Sequence, residues 1–369
     1  MPSEPISVAV IGAGHWGGNY LRVLGQLPGA RPAVVCDTDL ERRAVVAQRF
    51  PGVPFAADLE QVLSNNDVQA VVVATPATTH AEVAGACLEA GKHVLVEKPL
   101  TTSTADAEEL IRIAEERGLV LMVGHTFLFN PAVLRVNELL MRPAVGTIYY
   151  LYSRRTNLGP IRHDVDALWD LATHDVSIFN FMIGAVPEWV SAVGVHVLGR
   201  ENADVGFAAL GYPRGVVGHI HVSWADPNKV RELVVVASNQ RIVLNDMDTQ
   251  ESVRVFERGV SFSRTAPHGR GFGDYQLNFR DGDIISPRVE PSEPLLNQML
   301  HFVDCVRRGL TPATDGPAGR DVVRVMEAID RSLLANGAPI PVEPLTEVDG
   351  TPAPKTTAAI RGDVARAVR

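Results

Sequence analysis

The sequence predicts an α/β protein whose first third is a parallel sheet wrapped by helices. The remainder is an α+β part built on a large, mainly antiparallel open sheet. Three observations carry this: short β-rich apolar runs alternate with helical patterns up to about residue 124, a glycine-rich loop follows the first run directly, and between residues 188 and 257 strand-like runs succeed one another with little helix between them. At 369 residues the chain exceeds what one core usually fills. The expected division is a dinucleotide-binding (Rossmann) domain over 1–125 and an α+β domain for substrate binding and oligomerisation over 126–344. Residues 345–369, rich in Pro, Ala, Thr and charge, are expected to be a loose tail.

In the first part, strands are expected at 6–11, 33–36, 70–74, 93–96 and 120–123, and helices at 40–49, 80–90 and 104–117. The strands are continuous Val/Ile/Ala runs without polar alternation, as suits strands buried on both faces. In the second part a helix at 130–141 precedes a strand at 147–153, a loop, and a helix at 167–183. Strands follow at 189–197, 205–212, 216–223, 232–237, 241–245 and 252–256, and helices at 293–308 and 319–334 close the domain. An antiparallel sheet of this kind can pack helices on one face and leave the other for a partner, so a homodimer or homotetramer through that face is expected.

The loop Gly12-Ala13-Gly14-His15-Trp16-Gly17 opens the first helix. Gly12 permits the tight turn, Gly14 lets backbone N–H groups approach a pyrophosphate, and Gly17 allows close helix–strand packing, with His15 and Trp16 in the same loop. Twenty residues past Gly17, at the end of the second strand, Asp37 is placed to accept the hydroxyls of an adenosine ribose. Its carboxylate would repel a 2′-phosphate and no Arg follows it immediately, so NAD is expected as cofactor and NADP disfavoured. Two further motifs fall at C-terminal strand ends, the edge where open α/β sheets bind ligands: Thr75-Pro76 with His80, and Glu97-Lys98-Pro99. Lys98, held between a carboxylate and a proline, suits a hydrogen-bond donor or proton shuttle to a substrate hydroxyl.

The helix at 167–183 carries an apolar stripe of Leu168, Ala172, Val176, Phe179 and Ile183. Asp166, Asp170 and His174 are spaced four apart on its other side, so an aspartate one turn before a histidine is expected to fix its tautomer and stabilise its protonated form. The same spacing also fits a plain ion pair on a solvated face. A metal site of Asp170, His174 and His163 or His221 lacks established ligand spacing, and no metal is expected.

Composition narrows the partners. Apolar residues make up 46% and charged residues 21%, the balance of a globular protein, and the formal net charge of −9 without Lys/Arg runs argues against nucleic acid or an anionic membrane. No apolar run approaches the ~18 residues of a membrane span. The opening residues have no basic group before their apolar run, so no secretory or transit signal is expected. Cys36, Cys87 and Cys305 are dispersed and odd in number, which fits a reducing cytoplasm.

The glycine loop, Ala74-Thr75-Pro76, Glu97-Lys98-Pro99 and Asp170-x-x-x-His174 occur in the order and at the distances of the Gfo/Idh/MocA oxidoreductases, which the chain resembles over roughly residues 5–342. The resemblance implies that Lys98, Asp170 and His174 surround the carbon that gives or receives hydride. It also implies a cofactor site of Gly12, Gly14, His15, Trp16, Gly17, Asp37, Thr75, Pro76, His80, Glu97 and Lys98. Residues 223–231, the turn at 281–284 and Glu293-Pro294-Leu295 before His301-Phe302 look like the bacterial branch that acts at the 3-position of nucleotide-linked sugars. In that reading Arg154, Asn157 and Arg162, in the segment 154–164 with Arg155, border the substrate and its arginines meet a diphosphate or carboxylate. The alternatives are a dehydrogenase of a free sugar, cyclitol or glycoside, or a non-catalytic NAD-sensing binding protein.

Overall fold

The computed structural model describes residues 4–159, 161–162, 164–199, 202–263 and 276–344. Strands β1 (Ile6–Ile11), β2 (Ala30–Cys36), β3 (Phe55–Ala56), β4 (Ala70–Val73), β5 (His93–Glu97) and β6 (Leu121–Gly124) form a sheet in the order β3-β2-β1-β4-β5-β6. All neighbouring pairs are parallel. The intervening helices are α1 (His15–Leu24), α2 (Arg42–Arg49), α3 (Glu60–Leu63), α4 (His80–Glu89) and α5 (Thr104–Arg117). Every residue of β1, β4 and β6 is buried, as their unbroken apolar runs require. The strand order reverses between β1 and β4, which opens the crevice at their C-terminal ends where such sheets take ligands.

The second part comprises α6 (Pro131–Leu140), β7 (Ile148–Thr156), α7 (Thr173–Ile183), β8 (Trp189–Val195), β9 (Val205–Gly211), β10 (Val217–Ser223), β11 (Val230–Ala237), β12 (Arg241–Asn245) and β13 (Val253–Phe256). It continues with a separate antiparallel pair, β14 (Gly259–Ser263) and β15 (Gln276–Arg280), then β16 (Ile284–Ile285), α8 (Pro294–Arg308), α9 (Gly316–Leu334) and β17 (Ile340–Pro341). Nine strands make one sheet, β16-β13-β12-β11-β7-β10-β9-β8-β17, antiparallel except where β7 meets β10 at its centre. Helices cover one face. Gly206 and Gly218 lie directly under Leu168 and Phe179, where an added Cβ would come within 2.5 and 2.8 Å of those side chains. The other face carries Val193, Val195, Phe207, Val217, His219, Tyr150 and Tyr152, most of them half or fully exposed.

Local chemistry sets the helix ends. Ser103 caps α5 by accepting from Asp106 N, Asn130 caps α6 ahead of Pro131, and Asp315 caps α9 by accepting from Ala318 N. Gly118, Gly184 and Gly309 end α5, α7 and α8 in the left-handed conformation. The last helix serves both sheets. Val123 N donates to Thr314 O at 2.7 Å at the edge of the first sheet, while Trp169 Nε1 donates to Asp330 Oδ2 at 2.8 Å beside the second. None of the helices among the described residues is long and apolar enough to cross a membrane.

Two elements differ from the expectation. The strand expected to end at 153 runs on as β7 through Thr156, so Arg154 and Arg155 lie in a strand and not in a loop. The helix expected from 167 begins with a π turn, Leu168–Ala172, before α7. The expected tail at 345–369, and His163 with Pro160, lie outside the described residues.

Candidate active site

The glycine loop has the geometry its spacing predicts. Gly12 has φ +95°, and a Cβ there would stand 2.5 Å from Ala74 O at the end of β4. A Cβ on Gly17 would stand 1.8 Å from Gly12 O, so only glycine lets α1 press onto the loop. Gly14 faces open space and caps α1 without any side-chain bond, leaving the first-turn amides facing outward. That open, uncapped helix start fits the pyrophosphate of a dinucleotide. His15 and Trp16 are exposed on the same turn. Asp37 accepts from Ala13 N at 2.6 Å and from Asp39 N at 2.9 Å, tying the end of β2 to the loop while lone pairs remain for ribose hydroxyls. Thr75 and Pro76 follow β4 across the crevice, with Thr75 Oγ1 2.9 Å from Thr79 Oγ1.

Two residues expected to touch cofactor face the protein interior. His80 is buried, its Nδ1 2.7 Å from Pro99 O and its Nε2 3.0 Å from Thr75 O, so it braces two loops of the crevice. Glu97 is also buried. Its carboxylate accepts from Tyr20 Oη at 2.6 Å and Lys98 N at 3.1 Å, and Tyr20 in turn accepts from Gln298 Nε2 at 3.0 Å. Burial pushes the Glu97 carboxyl up even against the help of Tyr20 and Lys98. His80 stands at the start of α4 and Glu97 at the end of β5, and the bonds of both run to groups of the protein itself.

Lys98 projects from the end of β5 into the second part of the chain, and the Lys98–Pro99 peptide is cis. Its Nζ donates to Asp170 O at 2.6 Å and to Asp170 Oδ1 at 3.0 Å, with only 5% of the side chain exposed. Asp170 also receives Arg162 Nη1 and Trp224 Nε1, each at 3.3 Å. Burial pushes the Asp170 carboxyl up, but Lys98 and Arg162 outweigh it and hold it below the ordinary value.

His174 does not pair with Asp170, contrary to the i,i+4 expectation. The π turn closes i→i+5 bonds and breaks the α-helical register between them, and Asp170 is taken up by Lys98, Arg162 and Trp224. Asp166 caps its own turn by accepting from Trp169 N at 2.8 Å. The His174 ring meets the edge of Phe127, centroids 4.7 Å apart, and its Nδ1 is buried without a partner among the described residues. Burial, then Lys98 and Arg155, hold His174 well below 6.5, so the ring is neutral and its protonated form is not stabilised.

The three arginines disperse. Strand alternation sends Arg154 to the open face of the sheet, beside His221 and Glu232 on the adjoining strands and away from Lys98 and His174. Arg155 points to the helices, donating through Nε and Nη2 to Asp175 at 3.1 and 3.0 Å over the face of Phe127. Arg162 reaches the site, bound to Asp164 and Asp170. Asn157 follows β7, its backbone tied to Ser223 O at 3.1 Å and its Oδ1 buried without a partner among the described residues.

Sequence reasoning missed His125, Phe127 and Arg231. Gly124 pairs with Glu97 across β5 and β6, so His125 falls beside Lys98 at the ligand edge, a position that strand order alone reveals. Arg231 lies opposite Arg155 in the β11–β7 register, close to Phe127, with one 3.5 Å contact to Asp246 and 37% of its side chain exposed. Among the described residues no cluster of three or more His, Cys, Asp or Glu is arranged to hold a metal.

A parallel sheet with a dinucleotide loop, joined to a second sheet that carries a lysine–aspartate pair and a neutral histidine, defines an NAD-dependent oxidoreductase. The chain belongs to the Gfo/Idh/MocA family: residues 6–125 match the family's NAD-binding Rossmann fold and residues 133–243 its C-terminal domain. It is similar to UDP-N-acetylglucosamine 3-dehydrogenase of Acidithiobacillus ferrooxidans, 29% identical over 320 residues covering 85% of this chain and 93% of the relative. The solved structure of that enzyme superposes with TM-score 0.74 at 25% identity, covering 90% of this chain and 99% of the other. GenD2 from gentamicin A biosynthesis, solved in complex with NAD, superposes with TM-score 0.78 at 28% identity, covering 92% and 97%. The scyllo-inositol 2-dehydrogenase (NAD(+)) of Bacillus subtilis is 25% identical over 321 residues, covering 83% of this chain and 88% of the relative.

Proposed function

We propose that the chain interconverts a secondary alcohol and ketone at C3 of a nucleotide-linked sugar. One observation carries the reading of the site: the buried ammonium of Lys98 gives two N–H groups to Asp170, and its third has no partner among the described residues, beside the neutral ring of His174. NAD, when bound along the glycine loop, supplies the acceptor or donor of the hydride.

The chain's own groups manage the proton. Lys98 donates its remaining N–H to the carbinol oxygen, and Asp170 holds the ammonium in place. His174, neutral at physiological pH, accepts the hydroxyl proton as the hydride leaves and returns it in the reverse direction. Asp37 selects a ribose without a 2′-phosphate.

The anionic part of the substrate, which we assign to a nucleoside diphosphate, meets Arg231, since Arg154 faces the opposite side of the sheet, Arg155 is buried with its Nε and Nη2 on Asp175, and Arg162 is held by Asp164 and Asp170. The relatives that act on UDP-N-acetylglucosamine and on inositol mark the two substrate classes to compare. In an NADH-forming assay, UDP-N-acetylglucosamine is expected to be preferred over methyl N-acetylglucosaminide and scyllo-inositol. Arg231→Gln is expected to raise KM for the nucleotide sugar on the order of 10-fold while leaving the neutral substrates unchanged. Preference for a neutral substrate with no effect of Arg231→Gln would replace this reading with that of a free sugar or cyclitol dehydrogenase.

A further inference from the structure

We propose that His125 is a positioning residue for His174, joined to it through one internal water held between His174 Nδ1 and a ring nitrogen of His125. The inference rests on the reading of His174 as the proton acceptor and adds what sets its tautomer.

Three ring nitrogens at this point of the fold are buried and without a partner among the described residues: His125 Nδ1, His125 Nε2 and His174 Nδ1. Unpaired buried nitrogens are rare in folded proteins, and three in one place call for an occupant. His125 is 2% exposed. Its backbone is fixed, N to Val123 O and O from Leu128 N, and the turn that follows it presents Phe127 to the His174 ring. Two neighbouring buried rings whose nitrogens make no direct hydrogen bond with each other can share one ordered water, which accepts from one ring and donates to the other.

The charged groups around the pair leave His125 as the acceptor. Lys98 from β5, Arg155 from β7 and Arg231 from β11 face His174 as cations and can only donate. The carboxylate of Asp170 is engaged by Lys98, Arg162 and Trp224, that of Asp175 by Arg155 and that of Asp246 by Asn130 and Arg231. Burial and Lys98 keep His125 neutral, lowering it to about 3, so one of its nitrogens always offers a lone pair. His174 Nδ1–H donates to the water, the water donates to His125, and His174 Nε2 is left with its lone pair toward the substrate. When the hydroxyl O–H bond breaks, the N–H bond forms at Nε2, and the ring becomes a cation without a carboxylate to stabilise it. His125 therefore orients His174 without raising its basicity.

The test uses the full-length protein with NAD and UDP-N-acetylglucosamine, NADH affinity being measured alongside. His125→Leu is expected to lower kcat on the order of 10- to 100-fold with KM and NADH affinity nearly unchanged, and His125→Gln, which keeps an acceptor, to recover most of the loss. His125→Asp places a carboxylate beside His174 and is expected to move the acidic limb of kcat/KM upward by about one pH unit or more. Nitrogen-15 NMR of histidine-labelled wild type is expected to show His174 as the Nδ1–H tautomer, lost in His125→Leu. Equal losses in the Leu and Gln variants with an unmoved limb in His125→Asp, or an Nε2–H tautomer in wild type, would overturn the proposal. A wild type without activity on any sugar would instead remove the reading of the site, and the NMR result would still decide the tautomer. Should His125→Leu fail to bind NADH, the Gln and Asp variants carry the comparison.

Discussion

His174 carries no charge at a pH where a free imidazole would be partly protonated, because burial and the cations Lys98 and Arg155 all disfavour its protonated form. A group whose pKa is lowered stays competent as a base to lower pH, so kcat/KM in the oxidative direction is expected to stay flat from pH 7.5 through the ordinary histidine range and to fall well below 6.5. A limb centred at or above 6.5 would show a carboxylate-supported histidine instead. At this scale the sequence singled out Lys98, Asp170 and His174 as candidates but misjudged how they connect. Four-residue spacing implies a shared face only if the backbone is α-helical, and the π turn at Leu168–Ala172 removes that condition. Nothing in local pattern marks such a turn. His125 was hidden for another reason: its partners come from β5 and α7, distant in sequence, and only strand order brings them together.

Elements carry the site through their alternation and their ends. The glycine loop was legible because its constraint is local: Gly12 and Gly17 face backbone that no Cβ can approach, whatever the rest of the fold does. The arginine segment was not, because 154–156 joins β7, and a strand turns successive side chains to opposite faces. The π turn itself is pinned at one end by Trp169, whose Nε1 donates to both oxygens of Asp330 on α9. Burial raises Asp330 from 3.8 to about 6. The folded protein thus holds this proton more tightly than the unfolded chain, so the contribution is fully present below pH 3.8 and is lost as pH rises through about 6. Asp330→Asn, which keeps an acceptor for Trp169, is expected to flatten that part of the stability profile. The measurable difference is no more than about 3 kcal/mol between the two ends of the window. Denaturant melts at pH 4 and pH 7 check it, and parallel slopes for variant and wild type would show that Asp330 titrates normally.

In the whole molecule, the last helix ties the two sheets together, with α9 reaching from the edge of the first sheet to the covered face of the second while α8 packs on α1. The net charge of −9 is a surface average, and the site reverses it locally with Lys98, Arg155, Arg162 and Arg231. The open face of the second sheet, where Tyr150, Val193, Val195 and Val217 are exposed, is the surface we assign to a second copy of the chain. Sedimentation is expected to show a dimer or tetramer for wild type and a monomer for Val217→Asp combined with Tyr150→Asp. A wild-type monomer would contradict it. The fold class was readable from the sequence because buried parallel strands and half-exposed antiparallel ones have different apolar patterns. The paths of α8 and α9 were not, since an amphipathic helix does not record which sheet it covers.

In the proposed reaction Lys98 and His174 manage the proton of a sugar carbinol while NAD takes the hydride. It is tested most directly by NADH formation from UDP-N-acetylglucosamine in wild type, Lys98→Met and His174→Ala, with NADH affinity measured alongside. Turnover by wild type, with kcat reduced on the order of 10²- to 10⁴-fold in each variant and NADH binding preserved, is the predicted result. Variants that turn over as fast as wild type would contradict it.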